Sequence, residues 1–229
     1  MSPAWLAHLY TATGVLLAFY ATRMAFLEEF RLAFLALALA VFVDGTDGWL
    51  ARALKVKDRL PGVDGGKLDD IVDYLTYVFV PVLIVHNAGL VPANLLGFAA
   101  QAAVLLASLY GFSQADAKVH TSDYYFTGFP SYWNILVLYL FVWGLPPPVN
   151  AAILAVLAVL VFVPIRFVYP SRTVTLRIPT LILAGFWGIC MLLMIWNLPD
   201  TSGPWPMLSL IFPIYYNVLS LWLHARSPR

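Results

Sequence analysis

The sequence predicts an all-α fold: a polytopic integral membrane helical bundle of about eight transmembrane helices, with both termini in the cytoplasm. Of the 229 residues, 62% are apolar and 11% are charged, against roughly 45–50% and about 25% in an ordinary soluble domain. The mean hydropathy is +0.82. So few charges cannot cover a water-facing surface, and a net charge of +1 leaves no basic excess to neutralise nucleic acid phosphates. The composition therefore disfavours a soluble enzyme and a nucleic-acid-binding protein.

Eight apolar segments follow one another along the chain, most of them close to the about 20 residues that a spanning helix needs. Polar stretches with Pro or Gly separate most of the segments, and such stretches end helices. The fifth segment is short and the second contains acidic residues, so these two depart most from an ordinary span. In chain order, the predicted segments are 4–22, 32–54, 68–86, 92–112, 131–145, 149–169, 177–196 and 205–224.

Basic residues predict the direction of the chain, because they collect on the cytoplasmic side of a membrane. With the N-terminus inside, all 13 Lys and Arg residues except Arg23 and Arg31 fall on the cytoplasmic side. No basic residue precedes the first segment, which is long enough to span, so we expect a retained anchor rather than a cleaved signal peptide. No soluble domain is visible, and we expect one membrane domain over residues 1–229.

Acidic residues are concentrated in one short stretch. Seven of the 12 lie between residues 44 and 73. Several of these lie in or beside predicted spans, where an aspartate costs roughly 2.5–3.5 kcal/mol and indicates a functional site. At about 100° per residue, Asp44 and Asp47 share one face of the second predicted helix, and Asp69 and Asp73 share one face of the third. If these two faces meet, four carboxylates enter one pocket.

Clustered carboxylates in a low dielectric stay ionised only beside a counter-charge. A hard divalent cation with oxygen ligands, Mg²⁺ or Mn²⁺, is the natural candidate. The small residues Gly48 and Ala51 would let a ligand approach the backbone, and Arg52 could engage phosphate oxygens. Two alternatives stay open: salt bridges of the aspartates to Arg52, Lys55 or Lys67, and close helix packing at Gly48 and Ala51.

Other polar residues receive structural interpretations. We expect loop or helix-cap roles for three of the remaining acids, packing or loop roles for the scattered histidines, and an inert packing role for the single cysteine. These residues are Asp58, Asp64 and Asp70, then His8, His86, His120 and His224, and finally Cys190.

The acidic stretch also carries a recognisable motif. Residues 44–73 read DGTDGWLARALKVKDRLPGVDGGKLDDIVD, which contains D-x-x-D-G-x-x-A-R and, after twelve residues, G-x-x-x-D-x-x-x-D. This pattern resembles the signature of the CDP-alcohol phosphatidyltransferases, integral membrane enzymes that make phospholipids. Most members have eight residues between the arginine and the second glycine, whereas twelve residues separate Arg52 from Gly65 here. This longer spacing resembles that of the bacterial phosphatidylcholine synthases. Three other segments also resemble that subgroup: HLYTATG (8–14), FTGFPSYWN (126–134) and YPSRT (169–173).

The resemblance implies a reaction and a location. The phosphatidyl group of CDP-diacylglycerol would pass to choline, giving phosphatidylcholine and CMP. The enzyme would lie in a bacterial inner membrane with its active site facing the cytoplasm. CDP-diacylglycerol, choline and the lipid bilayer are then the expected partners, no nucleic acid is expected, and a homodimer is one arrangement that the sequence allows.

The resemblance also implies roles for the motif residues. Two metal ions, Mn²⁺ or Mg²⁺, would be held by Asp44, Asp47, Asp69 and Asp73. The last of these, Asp73, would also be the catalytic base for the acceptor hydroxyl. The CDP pocket would be lined by Gly48, Ala51, Arg52 and Gly65. The twelve-residue interval departs from the common pattern, so the contacts of residues 53–64 do not follow from the resemblance.

Choline carries a permanent cation without an N–H donor, and aromatic faces are the usual way to bind it. A polar and aromatic stretch at a predicted cytoplasmic boundary offers such faces. The candidate choline-binding residues are Asp123, Tyr124, Tyr125, Tyr132, Trp133 and Asn134. For any one of them, an interfacial aromatic belt is the alternative.

Two other functions stay open. Few cationic residues besides Arg52 are available to the pocket, which favours an acceptor without an anionic group and leaves serine as the second choice. Intramembrane acids also occur in cation transporters. Transporters are commonly built from repeats, and no repeat is visible in this sequence.

Overall fold

The structure, a computed structural model, describes residues 3–60, 62–114, 118–119, 125–168 and 175–226, with the backbone alone at 118, 119, 125 and 126. Helices dominate the described chain, which confirms the all-α prediction. The chain divides into two compact units, one of Met1–Gly89 with Trp133–Leu138 and the other of Leu90–Tyr132 with Tyr139–Arg229. The expectation of a single domain stays a prediction.

The first unit is built around two long helices, with α1 packed along α2 and in contact with α3, α4 and α5. Small buried residues on α1, such as Ala7, Gly14 and Ala21, allow this close approach. A π-helical segment, Tyr74–Phe79, joins α4 to α5 without a break. The helices of this unit are α1 (Pro3–Phe26), α2 (Phe30–Ala53), α3 (Val56–Arg59), α4 (Gly65–Asp73) and α5 (Val80–Asn87).

The second unit contains helices α6 and α8–α11. Helix α7 is divided: its residues up to Leu138 belong to the first unit and the rest belong to the second. Within this unit, α6 packs on α8, and α9 packs on α10 and α11. The helices are α6 (Leu95–Ser113), α7 (Trp133–Trp143), α8 (Pro147–Leu160), α9 (Arg177–Asn197), α10 (Trp205–Ser209) and α11 (Ile211–Arg226).

Three very short strands, which the sequence did not predict, also lie in the second unit. They are β1 (Lys118–Val119), β2 (Tyr125–Thr127) and β3 (Arg166–Val168), and they form an antiparallel sheet in that order. Phe126 of β2 is opposite Phe167 of β3. Helix α11 packs against the edge strand β3, where Ser220 Oγ accepts a hydrogen bond from the Val168 amide at 3.1 Å.

Five helices of the described chain are long and apolar enough to cross a membrane: Pro3–Phe26, Phe30–Ala53, Leu95–Ser113, Arg177–Asn197 and Trp205–Arg226. The other three of the eight predicted segments are not among these five helices. Predicted segment 68–86 corresponds to the continuous run of α4, the π-helical segment and α5. Helices α7 and α8 have 11 and 14 residues, about 16 and 21 Å at 1.5 Å per residue, less than the about 30 Å of a hydrocarbon core.

Prolines account for two boundaries that differ from the predicted ones. Predicted segment 149–169 is helical only to Leu160, since Pro164 lacks an amide donor and disfavours helical geometry at Val163. The chain then turns into β3. Predicted segment 205–224 is interrupted at Leu210, because Pro213 cannot donate to the Ser209 carbonyl.

Candidate functional site

The second half of α2 supplies two carboxylates of the site. Asp44 and Asp47 lie three residues apart in this helix and therefore on one face. Asp47 is buried, with 8% of its surface exposed, whereas Asp44 is half-buried. Between them, Thr46 donates a hydrogen bond to the Phe42 carbonyl of its own helix at 2.7 Å. The polar stretch is part of the continuous helix Phe30–Ala53, so both acids lie on the same side of it.

Helix α4 supplies the third carboxylate. Its start is fixed by Asp64, whose side chain accepts hydrogen bonds from the amides of Gly66 and Lys67 at 3.1 and 3.2 Å, as an N-cap residue does. The expectation of a cap role for Asp64 is thus confirmed. Asp69 follows one helical turn after Gly65 and is half-buried.

The two helices bring three carboxylates together. The oxygens of Asp44, Asp47 and Asp69 all lie within 4.8 Å of one another, so the two predicted faces do meet. Three carboxylates at this separation repel one another unless a cation lies between them. Their oxygen donors fit a hard divalent ion such as Mg²⁺ or Mn²⁺, and we call this group the aspartate triad.

Two hydroxyl groups that the sequence reasoning missed orient the aspartate triad. Thr11 of α1 donates a hydrogen bond to Oδ2 of Asp47 at 2.7 Å. Tyr77 of the π-helical segment donates one to Oδ2 of Asp44 at 2.7 Å. Partners of this kind fix the direction of ligand oxygens. Thr11 lies in the HLYTATG segment, which offered a signal, but nothing in the sequence distinguished Tyr77 from an ordinary apolar-face tyrosine.

Asp73 is the last residue of α4 and is half-buried. It lies one turn after Asp69 on the same helical face, as the spacing predicted. The acids whose oxygens lie close together are Asp44, Asp47 and Asp69. The prediction that Asp73 is a fourth metal ligand and the catalytic base is therefore not tested by this geometry.

The residues predicted to line a CDP pocket have distinct surroundings. A side chain at Gly48 would meet the guanidinium of Arg52, 3.2 Å from its Nη1, so the missing side chain leaves room for this arginine to fold back along α2. Ala51 packs with Leu50 and Leu54 against the buried cluster of Ala4, Ala7 and Val56, which supports the packing alternative for Ala51. Lys67, one of the cations considered as a salt-bridge partner for the aspartates, lies 3.8 Å from Asp64.

Gly65 lies against a histidine. A Cβ atom at Gly65 would be 3.2 Å from Cε1 of His8. His8 lies on α1 with only 7% of its surface exposed. The sequence interpretation as a packing or loop histidine did not anticipate its place beside a residue of the motif.

The predicted choline-binding residues are only partly described. Asp123 and Tyr124 lie outside the described residues, and for Tyr125 the structure describes the backbone alone, in β2. Tyr132 is half-buried just before α7, and Trp133 is completely buried. Asn134 is also buried, and its Oδ1 accepts a hydrogen bond from the Ile135 amide at 2.9 Å.

A family model for CDP-alcohol phosphatidyltransferases matches residues 4–215, a range that includes the whole aspartate triad. The chain belongs to this family. CDP-alcohol phosphatidyltransferases generally use divalent metal ions, and the aspartate triad could bind one. The family signature and the geometry of the carboxylates therefore agree.

Several bacterial proteins of similar length resemble the chain and are named phosphatidylcholine synthase. The one from Legionella pneumophila is 36% identical over 96% of this chain and 88% of its own length. The one from Pseudomonas aeruginosa is 36% identical over 98% of this chain and 93% of its own length. A third, from Legionella bozemanae, is 44% identical over 63% of this chain and 66% of its own length.

Proposed function

We propose that this protein is a phosphatidylcholine synthase that transfers the phosphatidyl group of CDP-diacylglycerol to choline and releases CMP. The observation that carries the proposal is the aspartate triad, whose carboxylate oxygens lie within 4.8 Å of one another. The chain also belongs to a family that transfers phosphatidyl groups. The names of the relatives that match over most of both chains support choline as the acceptor.

The motif residues have separate tasks in this proposal. Asp44, Asp47 and Asp69, with Asp73 as a fourth ligand, would hold two Mg²⁺ or Mn²⁺ ions. Such ions supply charge neutralisation of the diphosphate and of the oxygens that attack and leave. Thr11 and Tyr77 keep the carboxylates of Asp47 and Asp44 in a binding orientation.

The protein's own groups bind and position the reactants. Arg52, folded over Gly48, offers a guanidinium to the phosphate oxygens, and Gly65 gives the CDP group access to the start of α4. Asp73 accepts the proton of the choline hydroxyl. The choline oxygen then forms a bond to the phosphorus that carries diacylglycerol, the bond from that phosphorus to the bridging oxygen breaks, and CMP leaves.

The membrane and the acceptor complete the proposal. The excess of basic residues on one side supports an active site facing the cytoplasm. The apolar helices and the bacterial relatives support a location in the inner membrane. The aromatic side chain of Tyr132 is the described candidate for a cation–π contact with choline.

The test is acceptor-dependent release of CMP by the purified protein in lipid nanodiscs with CDP-diacylglycerol and Mn²⁺. We expect release with choline, phosphatidylcholine as the lipid product, and no release after chelation with EDTA. Release with serine but not with choline would contradict the proposed acceptor. No release with any of choline, serine, inositol or glycerol phosphate would contradict the transferase and favour the cation transporter.

A further inference from the structure

His8 belongs to the same face of α1 as a residue that contacts the aspartate triad. It precedes Thr11 by three residues, and residues at this spacing are neighbours on a helix surface. Thr11 donates its hydrogen bond to Asp47. His8 therefore lies about one helical turn from the triad, measured along α1.

The ring of His8 has two close neighbours. Trp5 forms an edge-to-face contact with it, with ring centroids 6.0 Å apart and an interplanar angle of 71°. The ring also lies at the start of α4, where a Cβ atom at Gly65 would be 3.2 Å from Cε1 and 3.7 Å from Nδ1. These neighbours limit the room in which the imidazole can turn.

Nε2 of His8 is buried and lacks a hydrogen-bond partner among the residues that the structure describes. More than nine-tenths of the side chain is buried as well. An imidazole nitrogen always carries a donor or an acceptor, and leaving it unsatisfied in a protein interior is costly. A substrate that supplies the missing partner would explain why a polar ring occupies this position.

The packing of α1 on α2 indicates which part of a substrate lies there. Ala4 and Ala7 pack against Leu54 and Val56, so moving from Thr11 toward the start of α1 means moving from Asp47 toward the end of α2. His8 is therefore displaced from the triad in the direction away from Asp44. The charged segment 55–59 follows at that end, and all four of its charged residues are exposed: Lys55, Lys57, Asp58 and Arg59.

CDP-diacylglycerol has two unlike halves on either side of its diphosphate. The acyl chains require the apolar spans, so the nucleoside must extend from the triad toward the polar end of α2. We propose that His8 is a substrate-binding residue whose Nε2 makes a hydrogen bond with the cytidine moiety. This inference rests on the proposed function, because it presupposes a cytidine nucleotide as substrate.

The test compares His8→Phe, which keeps a ring but removes the nitrogen, with His8→Gln, whose amide can replace the lost polar atom. The matched control is His86→Phe, at an exposed histidine of α5. CMP and inorganic pyrophosphate are titrated by calorimetry into each purified full-length protein with Mn²⁺. We expect His8→Phe to bind CMP about tenfold more weakly, as the loss of one hydrogen bond predicts, and pyrophosphate as tightly as the unmodified protein does.

His8→Gln should recover most of the CMP affinity, and His86→Phe should change neither ligand. Unchanged CMP affinity in folded His8→Phe would overturn the inference, and so would equal weakening of CMP and pyrophosphate. If His8→Phe does not fold, the test rests on folded His8→Gln, which must keep the ratio of CMP affinity to pyrophosphate affinity of the unmodified protein.

The unmodified protein distinguishes the failure of this inference from the failure of the proposed function. If it binds CMP but transfers nothing to choline, the proposed acceptor alone is refuted. If it does not bind CMP, both proposals are refuted.

Discussion

Tyr77 donates a hydrogen bond of 2.7 Å to Oδ2 of Asp44, although 33 residues separate the two in the chain. The tyrosine is almost fully buried and belongs to the π-helical segment between α4 and α5. Segments of this kind are rare and occur often at functional sites. One carboxylate of the aspartate triad is therefore held in place by a tyrosine hydroxyl from another helical segment.

We expect Tyr77→Phe to raise the Mn²⁺ concentration needed for half-maximal activity about tenfold, because loss of the partner that orients a ligand typically costs 10–100-fold in metal affinity or activity. The measurement is turnover against Mn²⁺ concentration, and excess Mn²⁺ should restore most of the rate. The matched control is Tyr139→Phe, which removes a partly buried hydrogen bond to Ser209. An Mn²⁺ dependence of Tyr77→Phe identical to that of the control would refute the orienting role.

Gly14 allows α1 to approach α4, because a Cβ atom at this position would overlap Cγ1 of Val72. We expect Gly14→Ala to lower the free energy of unfolding by about 1–3 kcal/mol, the usual cost of overpacking. Removing Cγ1 with Val72→Ala should recover part of that loss in the double variant. Thermal unfolding of the four proteins measures the coupling, and strictly additive losses would show that the two residues do not constrain each other.

The sequence was sufficient to predict most helices and the aspartates, for identifiable reasons. Apolar runs of about 20 residues mark membrane spans independently of tertiary structure, and the faces of Asp44–Asp47 and Asp69–Asp73 follow from helical spacing alone. Tertiary contacts could not be predicted in this way. The roles of Thr11, Tyr77 and His8 depend on how α1 and the π-helical segment pack against their neighbours, and a π-helical turn shifts the helical phase without a clear sequence signal.

Tyr132 and Trp133 should respond differently to substitution. Tyr132 is half-buried, so Tyr132→Ala should raise the KM for choline several-fold, as loss of a cation–π contact of about 0.5–2 kcal/mol predicts, with little change in the KM for CDP-diacylglycerol. Trp133 is completely buried, so Trp133→Ala should lower stability by about 3–5 kcal/mol. Trp143→Ala, at an exposed position of the same helix, is the control. An unmoved choline KM in Tyr132→Ala would leave Tyr132 as part of an aromatic belt.

Asp73 can be tested as a base separately from its role as a ligand. Asp73→Asn keeps the shape of the side chain, so we expect CDP-diacylglycerol to bind in the presence of Mn²⁺ while transfer to choline is lost, because proton removal fails. Asp44→Asn should lose both binding and transfer. Substrate binding is measured by titration, and transfer by CMP release. If both variants lose binding equally, Asp73 is a ligand without a separable role.

In the proposed function, phosphatidyl transfer depends on a metal held by the aspartate triad. The most direct measurement is the turnover of Asp69→Asn at limiting Mn²⁺, compared with Asp70→Asn, which changes the neighbouring acid on a different face of α4. We expect Asp69→Asn to lose nearly all activity, because its amide cannot match the charge of the ion, and Asp70→Asn to retain most of it. An Asp69→Asn protein that keeps most of the unmodified turnover at limiting Mn²⁺ would contradict the assignment of the metal site.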